Sequence, residues 1–142
     1  MNLKKNAMAL ALSLGLSVGY ASAEEIYIPL ISKGFQHQFW QVVKAGAEQA
    51  AKDLNVKVTF EGPESEAMVD KQIDMLAAAI AKKPAAIGYA ALDSKAAIPM
   101  LKKAQAANIP VICFDACVDS DIPLTLAATD NVAASALAAD KM

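Results

Sequence analysis

Short apolar runs alternate with helical stripes along this chain. The run 26–31 has the density of a strand buried on both faces. From Gln38 to Leu54, the apolar positions Phe39, Val43, Ala47, Ala50 and Leu54 recur at helical spacing. Residues 56–60 read as a second strand. Ser65 can cap a helix whose stripe is Val69, Ile73, Leu76 and Ile80. Lys82-Lys83-Pro84 ends it, because the residue before a proline is pushed out of the helical region. A third strand spans 85–92, and Ser94 can cap a helix carrying Ile98, Leu101 and Ala104. Asn108-Ile109-Pro110 stops that helix, Val111–Phe114 is strand four, and 124–128 is strand five. Asp130 or Asn131 then starts a last helix that runs to Met142. The first three strands begin about 30 residues apart, the spacing of successive βα units. The expected fold is α/β, a Rossmann-like lobe with an open parallel sheet and helices on both faces.

The N-terminus has a different pattern. Lys4 and Lys5 precede an uncharged apolar run at 7–18, and Ala21-Ser22-Ala23 offers a small-x-small cleavage site. This is the layout of a secretory signal peptide, and the run is too short to span a bilayer. Cleavage is expected after Ala23, leaving 24–142 as one ligand-binding lobe that stops partway through its architecture. The alternative is an uncleaved anchor. No cysteine lies near the cleavage site, so a soluble periplasmic protein is expected rather than a lipid-anchored one. Loss of the leader takes the net charge from −2 to −4.

Charge and composition exclude several functions. All 13 basic residues are lysine, so the side chain best suited to bidentate phosphate or guanine recognition is missing. With an acidic balance as well, no nucleic-acid partner is expected. Cys113 and Cys117 could pair in an oxidising compartment, but their spacing is neither a redox nor a zinc motif. The plainer reading is that Cys113 is a small hydrophobe in a buried strand. One histidine without a ligand cluster argues against a metal. No glycine-rich dinucleotide motif, phosphate loop or nucleophile elbow is present, so neither a cofactor nor an enzyme is expected.

Open α/β sheets bind ligands beyond the carboxyl ends of their strands. The polar residues placed there are Ser32, Lys33 and His37 after strand one, Glu61 and Glu64 after strand two, and Asp93 and Ser94 after strand three. Asp115 follows strand four, and Asp130-Asn131 follow strand five. Phe39 and Trp40 open the first helix. They point about 100° apart, so one narrow core stripe cannot take both. Aromatic faces suit the C–H face of a sugar, and carboxylates form charge-assisted bonds to its hydroxyls. Each residue also has a plainer role: Phe39 or Trp40 in the core, His37 on the surface, and Asp93, Ser94, Asp130 or Asn131 as helix caps. Asp115 ends an apolar strand and needs a partner, either ligand or protein.

Ser32 through Trp40, the Ala106-Asn108-Ile109-Pro110-Val111-Ile112 run leading to Phe114-Asp115, and Ala128-Thr129-Asp130-Asn131 resemble the ribose-binding-protein family in order and spacing. These are type 1 periplasmic substrate-binding proteins of ABC importers. The resemblance covers nearly all of the chain after the leader and matches the N-terminal of two lobes. It implies a sugar-like ligand, a membrane permease as partner, and a monomer at full length. It also implies that His37 stands in place of a sugar-binding asparagine, that Phe39 and Trp40 replace two stacking phenylalanines, and that Asp115 is a hydroxyl-binding aspartate. Ala116 stands where ribose binders have an arginine. With His37 and Trp40 also changed, the site is open to a larger or differently decorated sugar or another polar metabolite. A periplasmic sensor partner is the competing function, and a sugar-active enzyme is a third reading that lacks an acid/base pair.

Overall fold

The structure, a computed structural model, describes residues 25–142. The expected leader and its cleavage after Ala23 lie outside the described residues. The elements run β1 (Tyr27–Ile31), α1 (Gln38–Leu54), β2 (Lys57–Glu61), α2 (Val69–Ala81), β3 (Ile87–Tyr89), α3 (Ile98–Ala106), β4 (Val111–Phe114), β5 (Leu126–Ala127) and α4 (Asn131–Ala139). All strand pairings are parallel, in the order β2-β1-β3-β4-β5. The expected α/β architecture is what forms.

Connection handedness places the helices. The chain steps from β1 outward to β2, then back across β1 to β3 and on to β4. Right-handed crossovers therefore put α1 on one face and α2 and α3 on the other. α2 and α3 pack on each other and against β1 and β4. Leu76, Ala79, Leu101 and Ala104 from these helices meet Ile31, Ile87, Tyr89 and Val111 from the sheet in one core. The reversal of direction at β1 and β3 makes the gap beyond their carboxyl ends the switch point, where such sheets bind ligands.

Several elements differ from expectation. α1 buries only Trp40; Phe39 and Leu54 of its expected stripe are exposed. The reason is that α1 packs against β2, the sheet edge, rather than over the sheet centre. Ser65 does not cap α2: its hydroxyl accepts from the Ala67 N–H in the preceding turn, and the helix starts after Met68. Ser94 does not cap α3, which begins behind Ala97. The third and fifth strands are shorter than their apolar runs, and α4 ends at Ala139. Cys113 and Cys117 form a disulfide, which corrects the reading of Cys113 as an unpaired small hydrophobe. Cys113 is nonetheless fully buried.

Helix stops follow local chemistry. Asn55, Lys83 and Asn108 take the left-handed conformation where α1, α2 and α3 end, which two asparagines tolerate well. Among the described residues one further non-glycine residue is left-handed, Asp115 at φ 61°, and it ends no helix.

Candidate ligand-binding site

The loop after β1 approaches the loop after β2 closely. The Ser32 hydroxyl donates to the carbonyls of Gly34 (2.5 Å) and Glu61 (3.1 Å), and the Ser32 N–H reaches Glu61 O at 2.8 Å. Gly62 must lack a side chain, because a Cβ there would collide with the Ser32 hydroxyl and press on the Gly34 carbonyl. Ser32 is fully buried. Its hydroxyl is taken up by the carbonyls of the loop and of the β2 end, so Ser32, expected among the ligand-facing residues, supports the loop here.

That loop presents Lys33, whose Nζ lies 2.9 Å from Asp115 Oδ2 at the end of β4. The pair is partly exposed, with 24% and 32% of the side chains accessible, so solvent screens it. The same ammonium lies 5.9 Å from the Trp40 ring centroid. Trp40 is only 2% exposed. Phe39 packs edge-on against it at 4.8 Å between centroids, Phe114 at 6.2 Å, and its Nε1–H donates to Glu66 Oε1 at 3.1 Å. Trp40 is thus the buried floor of this cluster, and Phe39, 47% exposed, faces out. Glu66 lies in the loop after β2, and its role had no signature in the sequence. Glu61, by contrast, contributes its backbone carbonyl, and Glu64 is an exposed loop residue.

His37 caps α1. Its Nδ1 accepts from the Phe39 N–H at 3.2 Å, which leaves an exposed Nε2–H as a free donor beside Phe39. Lys33, His37, Phe39, Trp40 and Asp115 therefore form one cluster from the ends of β1 and β4. Asp93 and Asp130 have local partners instead. The Asp130 carboxylate caps α4 through the Ala133 N–H at 2.9 Å. Asp93 Oδ1 accepts from the Lys95 and Ala96 N–H groups at 2.8 and 2.7 Å, closing the turn that precedes α3 rather than capping the helix itself.

The bond from Lys95, then that from Ala96, hold the Asp93 carboxyl below its usual range, with the Lys95 charge adding to them. A depressed folded-state pKa contributes stability that is complete above the unfolded value of about 3.9 and is lost as pH falls through the folded value. Asp93→Ala should therefore melt below wild type at pH 7, with the gap closing at pH 3. Equal gaps at both pH values would exclude the carboxylate charge as the source.

Gln72, fully buried on α2, joins the strand ends beneath the site. Its Nε2 donates to the carbonyls of Ser32 (2.9 Å) and Ala90 (2.8 Å), and its Oε1 accepts from the Tyr89 hydroxyl (2.7 Å) and the Leu92 N–H (3.1 Å). Burial, and then the Asp93 charge, push the Tyr89 phenol far above its ordinary pKa, which keeps the donor protonated. In sequence Gln72 is one polar residue beside an apolar stripe, and nothing marks it as buried. Among the described residues, no group of acidic, histidine and cysteine side chains could hold a metal, and no helix is long and apolar enough to cross a membrane.

Residues 28–142 match the family model of the periplasmic binding protein domain. A carbohydrate transporter solute-binding protein from Agrobacterium radiobacter, solved in complex with D-arabinose, is 39% identical, with a TM-score of 0.75 over 84% of this chain and 40% of that one. A solute-binding protein from Agrobacterium vitis with bound D-fucose is 37% identical, with a TM-score of 0.74 over 82% of this chain and 41% of its own. The ABC transporter periplasmic-binding protein YphF of Escherichia coli K12 is 27% identical over 84% of this chain. This chain spans 36% of the length of that curated relative. By its sequence match and by a sheet that superposes on those of solved solute-binding proteins, the chain belongs to the periplasmic binding protein domain family.

Proposed function

We propose that this chain is the N-terminal ligand-binding lobe of a periplasmic solute-binding protein that delivers a monosaccharide to the permease of an ABC importer. One observation carries the reading: two relatives at 39% and 37% identity hold D-arabinose and D-fucose. The exposed Phe39 ring supplies an apolar face for the sugar's C–H surface. The Asp115 carboxylate accepts from hydroxyls, and Lys33 Nζ and His37 Nε2–H donate to ring or hydroxyl oxygens. Lys33 also pairs with Asp115, which lowers the cost of presenting a carboxylate to a neutral ligand. The 1–23 leader, cut after Ala23, takes the protein to the periplasm, and binding without turnover is the role of a solute-binding protein.

Among the described residues the cluster is an open surface, and small ligands bind tightly only when most of their surface is buried. The 142-residue chain should therefore bind D-arabinose or D-fucose with Kd at or above about 1 mM. In a ¹H–¹⁵N titration reaching tens of millimolar sugar, saturable shifts should gather at Lys33, His37, Phe39 and Asp115. Shifts centred elsewhere, or none with either sugar, would overturn the assignment.

A further inference from the structure

The Cys113–Cys117 disulfide spans the one turn that presents Asp115. Between the two cysteines lie only Phe114, Asp115 and Ala116. Asp115 has φ 61°, and the Ala116 N–H closes back on the Phe114 carbonyl at 2.7 Å, making a tight three-residue turn. A left-handed conformation is unfavourable for any residue with a Cβ, so such a turn persists only where its surroundings over-determine it. Two hydrogen bonds from outside contribute: Asp115 N–H to Ala127 O at 3.0 Å, and Ala91 N–H to Ala116 O at 3.1 Å. β5, which supplies the first of these, has two exposed residues and is a weak support on its own. Cys113 is anchored in the core of β4, so the covalent link fixes the far side of the turn to a rigid strand. Cross-links that close long loops stabilise a fold most, and this one closes a very short loop. Its position suits holding a local conformation better than stapling the lobe.

We infer that Cys113 and Cys117 are positioning residues for the ligand site: their disulfide clamps the Asp115 turn in the conformation that aims its carboxylate at Lys33 and the sugar. The inference rests on the sugar-binding reading for its ligand half, but not for its conformational half. An oxidising compartment keeps the clamp closed. A dithiol reductant opens it by supplying two electrons and two protons, which leaves two cysteine thiols and a cyclised, oxidised reductant.

The test compares the oxidised 142-residue chain with the Cys113→Ala/Cys117→Ala double variant, and with wild type reduced by dithiothreitol. Amide hydrogen exchange is read at Ala91, Asp115 and Ala116, with the Ile87 amide, bonded to Pro110 O at 2.9 Å, as the core reference. Opening the clamp should speed exchange at the three turn amides by tenfold or more and leave Ile87 unchanged. It should also weaken D-arabinose or D-fucose binding at least fivefold in the ¹H–¹⁵N titration. Unchanged exchange at the turn overturns the clamp. A common acceleration that includes Ile87 also overturns it and would mark a general staple, and faster exchange at the turn alone with unchanged sugar affinity overturns the positioning role of the cysteines. If neither sugar shifts the oxidised chain, the ligand reading fails, and the exchange pattern alone decides whether the turn is clamped.

Discussion

Replacing Gln72 with leucine should lower the melting temperature of this chain by roughly 10–20 °C. Four polar groups lose their partner: the Ser32 and Ala90 carbonyls, the Tyr89 hydroxyl and the Leu92 N–H. Each buried group left unsatisfied costs about 1–3 kcal/mol. The apolar burial that leucine adds and some relaxation offset part of this, leaving a net loss of about 3–5 kcal/mol. The site should suffer as well, since Gln72 ties the chain just past β1 to the chain just past β3, across the switch point. Lys71→Ala, one residue earlier and exposed, is the control and should stay within about 0.5 kcal/mol of wild type. A Gln72→Leu protein that melts within 3 °C of wild type by circular dichroism would show that the network does not carry this weight.

Asp115→Ala should weaken sugar binding by about 10- to 150-fold, corresponding to one charged hydrogen bond of about 1.5–3 kcal/mol. Its effect on folding should be small. The ion pair to Lys33 is partly exposed and such pairs contribute about 0–1 kcal/mol. Alanine at φ 61° keeps the Cβ strain of about 1–2 kcal/mol that aspartate already carries there. Asp115→Gly separates the two effects, because glycine removes the carboxylate while relieving the strain. It should lose affinity like the alanine variant yet melt at or above it. Affinity for D-arabinose and D-fucose that survives in Asp115→Gly, measured by the same titration, would remove the carboxylate from the ligand's partners. A collapse of Asp115→Asn, which keeps both the shape and the tolerance for this conformation, would mark the residue as structural.

The candidate cluster was partly legible before the fold was known. Strand ends in an alternating βα pattern are where ligands bind, and apolar runs mark strand ends well. Lys33, His37, Phe39 and Asp115, with Ser32, Trp40, Asp93 and Asp130, could therefore be placed at strand ends from the pattern and their side-chain chemistry. What a residue does at such a position depends on partners far away in sequence. Ser32 sits beside Lys33, yet its hydroxyl turns inward to Glu61, 29 residues away. Trp40 and Phe39 are neighbours on one helix, and only the packing of Phe114 and Glu66 decides that the indole is the floor and the phenyl ring the face. Asp93 and Ser94 are both plausible caps in sequence, yet α3 starts behind Ala97 without a side-chain cap, and the Asp93 carboxylate closes the turn ahead of it instead.

By itself, the sequence determined the α/β alternation, the 30-residue repeat seen in strands that start at Tyr27, Lys57 and Ile87, and the helix stops at Lys83 and Asn108. These are local matters of hydrophobic period and backbone preference, and they are written within a few residues of where they act. The tertiary structure alone decided three others. It made Gln72 the buried junction of the strand ends, because hydrogen-bond satisfaction depends on groups from three separate segments. It left α1 nearly uncovered, because a helix buries only what its neighbours cover and α1 rests on an edge strand. It also closed the Cys113–Cys117 bond, because two thiols pair when a turn brings their Cα atoms within reach, here 5.2 Å, and spacing along the chain does not fix that distance.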